Sequence, residues 1–398
     1  MVQSGEAGFA WSRISRTLLH NRHFSMGVVN VDYFVQRREN LSRSVEAARF
    51  DILAVSNPIN VSYLTGFSGD SSWLLLSPAK ALLVSDGRYE VQIAEECPGL
   101  DVVIRKPDQT ILQAVAATLL KQSVRSVGLE ASHLTLAEAE TLRELAPSLS
   151  WCPKSGMVES LRRIKDASEL EQIREAIGFA EKAYDMFRAG LKATDTEKSL
   201  VDSMESYVRQ AGGKCTAFPT LVGIGDRSAL PHVPPTDRQV SEADFLLLDW
   251  GASGRFYKSD LTRMIVTGGA KRPVESRLEK LYTTVLKAQE IAIGAIRPVV
   301  RAADVDRAVR AYLETEGLAD KFNHGLGHGF GLQIHEGPFM RPNSVDLLEA
   351  GMVITVEPGV YIPGWGGIRI EDDVVVTPDG CEVLTRVPKD PARLFDAH

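Results

Sequence analysis

Cysteine is scarce in this chain, long apolar runs are missing, and positive charge is in the minority. The four cysteines, Cys97, Cys152, Cys215 and Cys381, are scattered through 398 residues and form no CxxC pair. That spacing argues against a thiolate metal site or a disulfide framework and fits reduced thiols in a cytoplasmic protein. No stretch reaches the roughly 20 apolar residues that a membrane helix needs, so no membrane is expected as a partner. Lys and Arg number 45 against 52 Asp and Glu, a net charge of −7. Nucleic acid, which selects basic surfaces, is therefore excluded as a partner as well. What remains is 44% hydrophobic and 24% charged, an ordinary composition for a globular protein, at a length that suits two domains.

The first 29 residues carry Arg13, Arg16 and Arg22 against one acid, Glu6, without a sustained apolar core. A secretory signal would need a longer apolar stretch. The segment reads as disordered, or as a mis-extension ahead of a start at Met26, with a targeting arm as the alternative. From residue 31 the pattern alternates. Helices fit 31–48, 89–96, 109–121 and 136–145; strands fit 50–56, 74–77, 81–85, 100–105 and 124–130. Such alternation predicts an α/β layer, placed at 30–155. The Trp151-Cys152-Pro153-Lys154-Ser155-Gly156 segment then punctuates the chain.

The second domain, 156–398, reads as α+β. Ser168 with Glu171 three residues on predicts a capping box. Leu170, Ile173, Ile177, Ala180, Tyr184 and Phe187 then share one helix face. Further helices fit 196–210, stopped by Gly212-Gly213, then 275–296 and 303–316. Strands fit 245–250, 256–266, 352–357 and 367–376.

Two of these strand pairs carry chemistry. Residues 245–266 read FLLLDWGASGRFYKSDLTRMIV, two apolar runs around a Gly-Ala-Ser-Gly hairpin signal. A turn centred between Gly254 and Arg255 puts Asp249 opposite Asp260. In the C-terminal ribbon, a turn centred on Gly364 puts Glu357 opposite Glu371. Like charges about 5 Å apart, at an effective dielectric of about 20, repel by roughly 3 kcal/mol. The bland alternative puts these acids on exposed faces, paired with Lys258 or Arg263. Two such pairs at matching positions favour buried carboxylates neutralised by two divalent cations.

Between the ribbons runs His-Gly-Leu-Gly-His-Gly-Phe-Gly-Leu-Gln-Ile-His-Glu, residues 324–336. Glycines on odd positions disfavour a helix through His324 and His328. In an extended chain they let another backbone approach. Three histidines within twelve residues point to chemistry. His232, in a Pro-bounded loop, is balanced between a structural and a chemical role. Arg369, two residues before Glu371, shares its strand face and is placed to orient a ligand carboxylate.

The quoted residues resemble a known family. Asp249 with Asp260 in Ser-Asp-Leu-Thr-Arg, the His-Gly-x-Gly-His-Gly-x-Gly block, Glu-Pro-Gly-x-Tyr and Gly-x-Arg-Ile-Glu-Asp are similar to the pita-bread metallopeptidases. That group includes Xaa-Pro aminopeptidase, Xaa-Pro dipeptidase (prolidase) and methionine aminopeptidase. Tyr63-Leu64-Thr65-Gly66-Phe67 and Asp86-Gly87-Arg88-Tyr89 resemble the Xaa-Pro branch. The resemblance covers about 35–390. It implies a C-terminal pita-bread fold behind a smaller creatinase-like α/β domain, and assembly as a homodimer or homotetramer. It also implies two divalent ions, Mn²⁺ foremost with Co²⁺ or Zn²⁺ as alternatives, held by Asp249, Asp260, His328, Glu357 and Glu371. Glu357 would also accept the proton of the attacking water. His232 and His335 would contact the substrate carbonyl and the oxyanion, and His324 would shape the proline pocket. The implied activity is hydrolysis of the bond between an N-terminal residue and a following proline. The alternatives are a prolidase, or a creatinase-like or ectoine-hydrolase-like C–N hydrolase. A non-catalytic binding protein on the same fold would be expected to have lost ligand residues.

Overall fold

The computed structural model describes residues 31–267 and 276–391. The expectations for residues 1–29, and the first residue of the 275–296 helix, lie outside them. The N-terminal unit is built on a six-stranded mixed sheet. Its order is Asp101–Ile104, Ala81–Ser85, Trp73–Leu76, Ile52–Val55, Ser126–Glu130 and Ser150–Lys154. All four residues of Ile52–Val55 are buried, as a central strand covered on both faces requires.

Two elements of this unit differ from the expectations. Residues Pro58–Thr65 form a helix, capped by the Asn57 side chain and opened by Pro58 at a position where no N–H is needed. Residues Ser150–Lys154, expected only to punctuate the chain, form a strand parallel to Ser126–Glu130. It is the sheet's edge, where Pro153 leaves no ladder bond missing.

The second unit carries two helix pairs on a split, curved sheet. The 24-residue helix Ala167–Gly190 is capped by Asp166, not Ser168. The Asp166 side chain accepts from the Glu169 N–H, and Glu169 reaches back to the Asp166 N–H. Asp166 wins because it also meets Arg37 from the N-terminal unit at 2.7 Å. Thr196 and Gly212 bound the next helix, Glu197–Ala211, as expected. These two helices pack on the sheet Leu221–Ile224, Phe245–Trp250 and Leu261–Val266. Trp250 stacks on Tyr184 with centroids 5.0 Å apart and donates to the Ala180 carbonyl.

Helices Ser276–Ala295 and Ala302–Thr315 pack on the second sheet. Its order is Glu336–Met340, Gly327–Gly329, Val353–Val356, Asp372–Val376 and Cys381–Val383. One bridge joins the two sheets, Glu371 N–H donating to the Thr262 carbonyl at 3.2 Å. The opposite face of the second sheet packs against the N-terminal unit: Phe330, Leu332, Val353 and Val375 share one apolar cluster with Leu41, Val61, Tyr63 and Phe67, while Ile354, Val356, Val374 and Val376 face the helices.

A candidate metal centre at the seam of two sheets

The two acidic ribbons meet at that bridge. In the first, Asp249 pairs with Thr262 rather than with Asp260. The turn is one residue further along: Ser253 bridges Lys258, and the Gly254 N–H donates to the Tyr257 carbonyl at 2.8 Å. Tertiary contacts draw the longer turn out. Phe256 packs against the apolar cluster that the two units share, and the Tyr257 hydroxyl donates to buried Glu169. Moving the centre by one residue moves the pairing by two, which keeps every side chain on its face. Asp260 is therefore diagonal to Asp249 and on the same side.

The second ribbon has the expected register. Val356 pairs with Asp372 and Gly359 with Arg369, so Glu357 faces Glu371 in the gap between two ladders. The expected continuous strand 367–376 is interrupted there. Pro358 has no N–H to give to the ladder, and the Glu371 N–H turns to Thr262 in the other sheet. The glycines act as predicted. A Cβ on Gly327 would come 2.1 Å from the Thr355 carbonyl oxygen, and one on Gly329 would come 2.3 Å from that of Gly337. Of this block only Gly327–Gly329 and the last residue, Glu336, are strand; Gly331–His335 is a chain of bends.

All nine residues singled out in the sequence line one cavity of about 490 Å³. One carboxylate oxygen each of Asp260 and Glu371 and a ring nitrogen of His328 lie within 4.8 Å of one another. His328 Nε2 is 3.6 Å from Asp260 Oδ2 and 3.5 Å from Glu357 Oε1. Neither Lys258 nor Arg263 pairs with these acids: Lys258 donates to the Ala217 carbonyl, and Arg263 to Asp372. Arg369 does touch one of them. It donates to Asp249 Oδ2, to Thr262 Oγ1 at 3.0 Å and to the Tyr361 hydroxyl at 2.8 Å. His335 stacks edge-on against His328 at 4.4 Å. His232 is exposed at the rim.

Protonation follows from burial and from what each group faces. Burial first, then mutual repulsion, pushes Asp260 and Glu371 well above the carboxylate range. Burial raises Glu357 to about 8, and raises Asp249 against the pull of Arg369. Burial, followed by the neighbouring His335, lowers His328 to about 4. Its Nδ1 lies 3.1 Å from the Gly329 carbonyl, which can only accept, so Nδ1 carries the hydrogen. Nε2 then presents a lone pair to carboxylate oxygens that also only accept. Asp249 Oδ1 is buried with no hydrogen-bond partner among the described residues. A buried cluster of acceptors facing acceptors requires protons or cations. The oxygen and imidazole donors fit divalent metal ions.

Several residues escaped the sequence reading. The Thr262 hydroxyl donates to Glu371 Oε2 at 2.6 Å. The Tyr361 hydroxyl lies 2.9 Å from His324 Nε2. Arg369 already donates to that hydroxyl and His324 Nδ1 to the Gly325 carbonyl, so the phenol hydrogen points at the histidine. The backbone N–H of Asp260 donates to buried Asp373. Thr262 and Asp373 each lie two residues after a metal-site acid, and that period of two was the available signal.

Comparison with known proteins agrees with this geometry. Metallopeptidase family M24 matches residues 171–378, and the creatinase/prolidase N-terminal domain matches 37–164. This chain belongs to family M24. An uncharacterized peptidase of Bacillus subtilis, YqhT, is 32% identical to the M24 chain over 340 residues, 85% of this chain and 95% of the relative. Among solved structures, an Xaa-Pro dipeptidase from Bacillus anthracis superposes with a TM-score of 0.84 at 32% identity, covering 90% of this chain and 99% of its own. An X-Pro aminopeptidase from Thermotoga maritima does so with a TM-score of 0.81 at 31% identity, covering 87% and 99%. The M24 chain is thus a peptidase of pita-bread fold, and membership implies divalent metal ions. Among the described residues no helix is long and apolar enough to cross a membrane.

Proposed function

We propose that this M24 chain is a dinuclear metal-dependent Xaa-Pro aminopeptidase, cleaving the bond between an N-terminal residue and a following proline. The observation that carries the reading is one cavity lined by two unlike sets of residues. One set is the five donors Asp249, Asp260, His328, Glu357 and Glu371. The other is apolar, Phe218, Pro219, Leu221, Ile334 and Phe339, and suits a pyrrolidine ring. The five donors would hold two divalent ions, which would supply charge neutralisation and Lewis-acid polarisation of the scissile carbonyl. Oxygen and imidazole donors favour Mn²⁺, with Co²⁺ or Zn²⁺ as alternatives.

The chain's own groups do the rest. Glu357, which lines the cavity within the donor set, is placed to take a proton from the attacking water and return it to the departing amine. Burial holds His335 below its ordinary value, so a neutral imidazole N–H is available for the carbonyl oxygen, with His232 beside it on the rim. His324, tied between the Gly325 carbonyl and Tyr361, forms a fixed wall of the proline subsite. The four unpaired cysteines support a cytoplasmic location. Family resemblance supports a homodimer or homotetramer, which light scattering checks.

One observation favours the prolidase reading. The Arg341 guanidinium lies over the Phe339 ring at 5.1 Å and lines the cavity. No carboxylate pairs with it among the described residues. A free carboxylate directly after the proline would find a cation there. The deciding assay compares Ala-Pro with Ala-Pro-Ala under added Mn²⁺ or Co²⁺. Preference for the tripeptide supports the aminopeptidase. Preference for the dipeptide, with KM raised roughly tenfold or more by Arg341→Ala, supports the prolidase. Cleavage of neither peptide removes both readings.

A further inference from the structure

The segment Gly331–His335, which delivers Ile334 and His335 to the cavity, belongs to no strand ladder. Two backbone bonds hold its start, the Lys258 N–H donating to the Gly331 carbonyl at 2.9 Å and the Gly331 N–H to that of Gln333 at 3.0 Å, and side chains fix the rest. Gln333 and Glu336 flank the two cavity residues, and Arg162 grips both. Its Nη2 donates to Gln333 Oε1 at 2.9 Å and to the Glu336 carboxylate. Lys165 takes the other Glu336 oxygen at 3.0 Å. Arg162, Lys165 and Glu336 are all buried, so the grip is shielded from solvent and fixed in geometry. A Cβ on Gly331 would come 2.8 Å from Glu336 Oε1, which leaves that carboxylate room only beside a glycine.

Arg162 does not belong to the wall it holds. It ends the short helix Met157–Arg162 that links the two units. Its Nη1 donates to Asn60 Oδ1 at 2.8 Å. The Asn60 amide in turn donates to Glu130 at 2.6 Å and Glu159 at 2.7 Å. Glu130, at the end of a central strand of the N-terminal sheet, is itself held by the N–H groups of Ser56 and Asn57. An unbroken polar chain therefore runs from the first sheet to the residues on either side of His335.

We propose that Arg162 is a positioning residue for His335, and that through Asn60 it makes the placement of that imidazole depend on the N-terminal unit. Its catalytic consequence rests on the Xaa-Pro reading above; its structural part does not. Arg162→Lys keeps a cation against Glu336 but loses the fork that spans Gln333, Glu336 and Asn60. Asn60→Ala breaks the chain far from the cavity, and Gln333→Ala removes one arm at a half-buried position that threatens folding least. Two measurements decide. The first is the ¹⁵N-histidine NMR spectrum of the metal-free protein at one pH, with the His335 signal assigned by its loss in His335→Gln. The second is kcat and KM with metal added.

All three variants are expected to shift or broaden the His335 signal and leave that of His133 in place. They should lower kcat by roughly 10–100-fold, the usual effect of an outer partner, with KM changed far less. A purely structural grip would lower Tm while leaving the His335 signal and kcat at wild-type values, and that result overturns the proposal. If the wild type cleaves no Xaa-Pro peptide, the functional reading fails while the NMR arm still decides whether Arg162 places His335.

Discussion

Glu371 and Asp372 are neighbours in the chain, both buried, and they meet opposite surroundings. Asp372 faces away from the cavity toward Arg263 at 2.6 Å, Lys389 and the Thr385 hydroxyl. Burial opposes its charge, but those two cations overcome burial and hold it at about 2. Glu371 faces Glu357 and Asp249 and is driven well above the carboxylate range. Two other buried acids are likewise paired with cations. Glu336 has Arg162 and Lys165, and Glu197 has Arg227 with the Thr236 N–H and hydroxyl. Burial of a carboxylate is thus no mark of a metal site in this chain. The mark is a carboxylate for which the fold supplies no adequate donor, and such groups are gathered at the seam.

The largest expected effect that separates the two faces comes from a matched pair of substitutions. Asp260→Asn is expected to abolish metal loading and peptidase activity, a loss well beyond the roughly 10–100-fold of an outer partner. In metal-free protein it should leave Tm unchanged or raise it, because it removes one of several repelling acids. Asp372→Asn should instead lower stability by roughly 3–5 kcal/mol, since Arg263 is left buried without its counter-charge. Calorimetry with and without metal measures both. Full activity in Asp260→Asn, or equal Tm shifts in the two variants, would erase the distinction.

The next effect is a pH dependence of the metal-free form. The raised acids bind protons more tightly when folded. Their stabilisation is complete below the unfolded value near 4.5 and is lost as pH rises toward the folded value, about 8 for Glu357. That single group corresponds to a loss on the order of 5 kcal/mol. Metal-free Tm should therefore fall between pH 5 and pH 8, and the stabilisation by added Mn²⁺ should grow over the same window. A flat metal-free profile would mean that these acids are already charged and compensated. A smaller effect belongs to Thr262→Val, which removes the hydroxyl from both Glu371 and Arg369. It is expected to weaken metal affinity roughly tenfold, read by titration calorimetry.

Much of the site was legible because strand period and turn chemistry are local. Gly364 gave the register of the second ribbon, and with it the facing of Glu357 and Glu371. The first ribbon was misjudged by one residue at its turn, since Phe256 and Tyr257 answer to partners in distant parts of the chain. Side-chain faces survived that error, because an even shift in pairing preserves them. Asp166 displaced Ser168 as helix cap for a similar reason: Arg37 lies 129 residues away. The edge strand around Pro153 had no local signature beyond Trp151, and its pairing with Ser126–Glu130 supplies what the composition lacked. Arg162 and its grip on Gln333 and Glu336 join three separate stretches, and no spacing rule connects them.

The apolar cluster shared by the two units has a practical corollary. By the period of two, Val353 and Val375 share the sheet face of Glu357 and Glu371, and Leu41, Val61, Tyr63 and Phe67 are what shelters them, with Phe330 and Leu332, from water. A fragment cut near residue 156 would bare that oily surface on the side that carries the acidic ribbon. Such a fragment would tend to clump rather than yield a smaller enzyme.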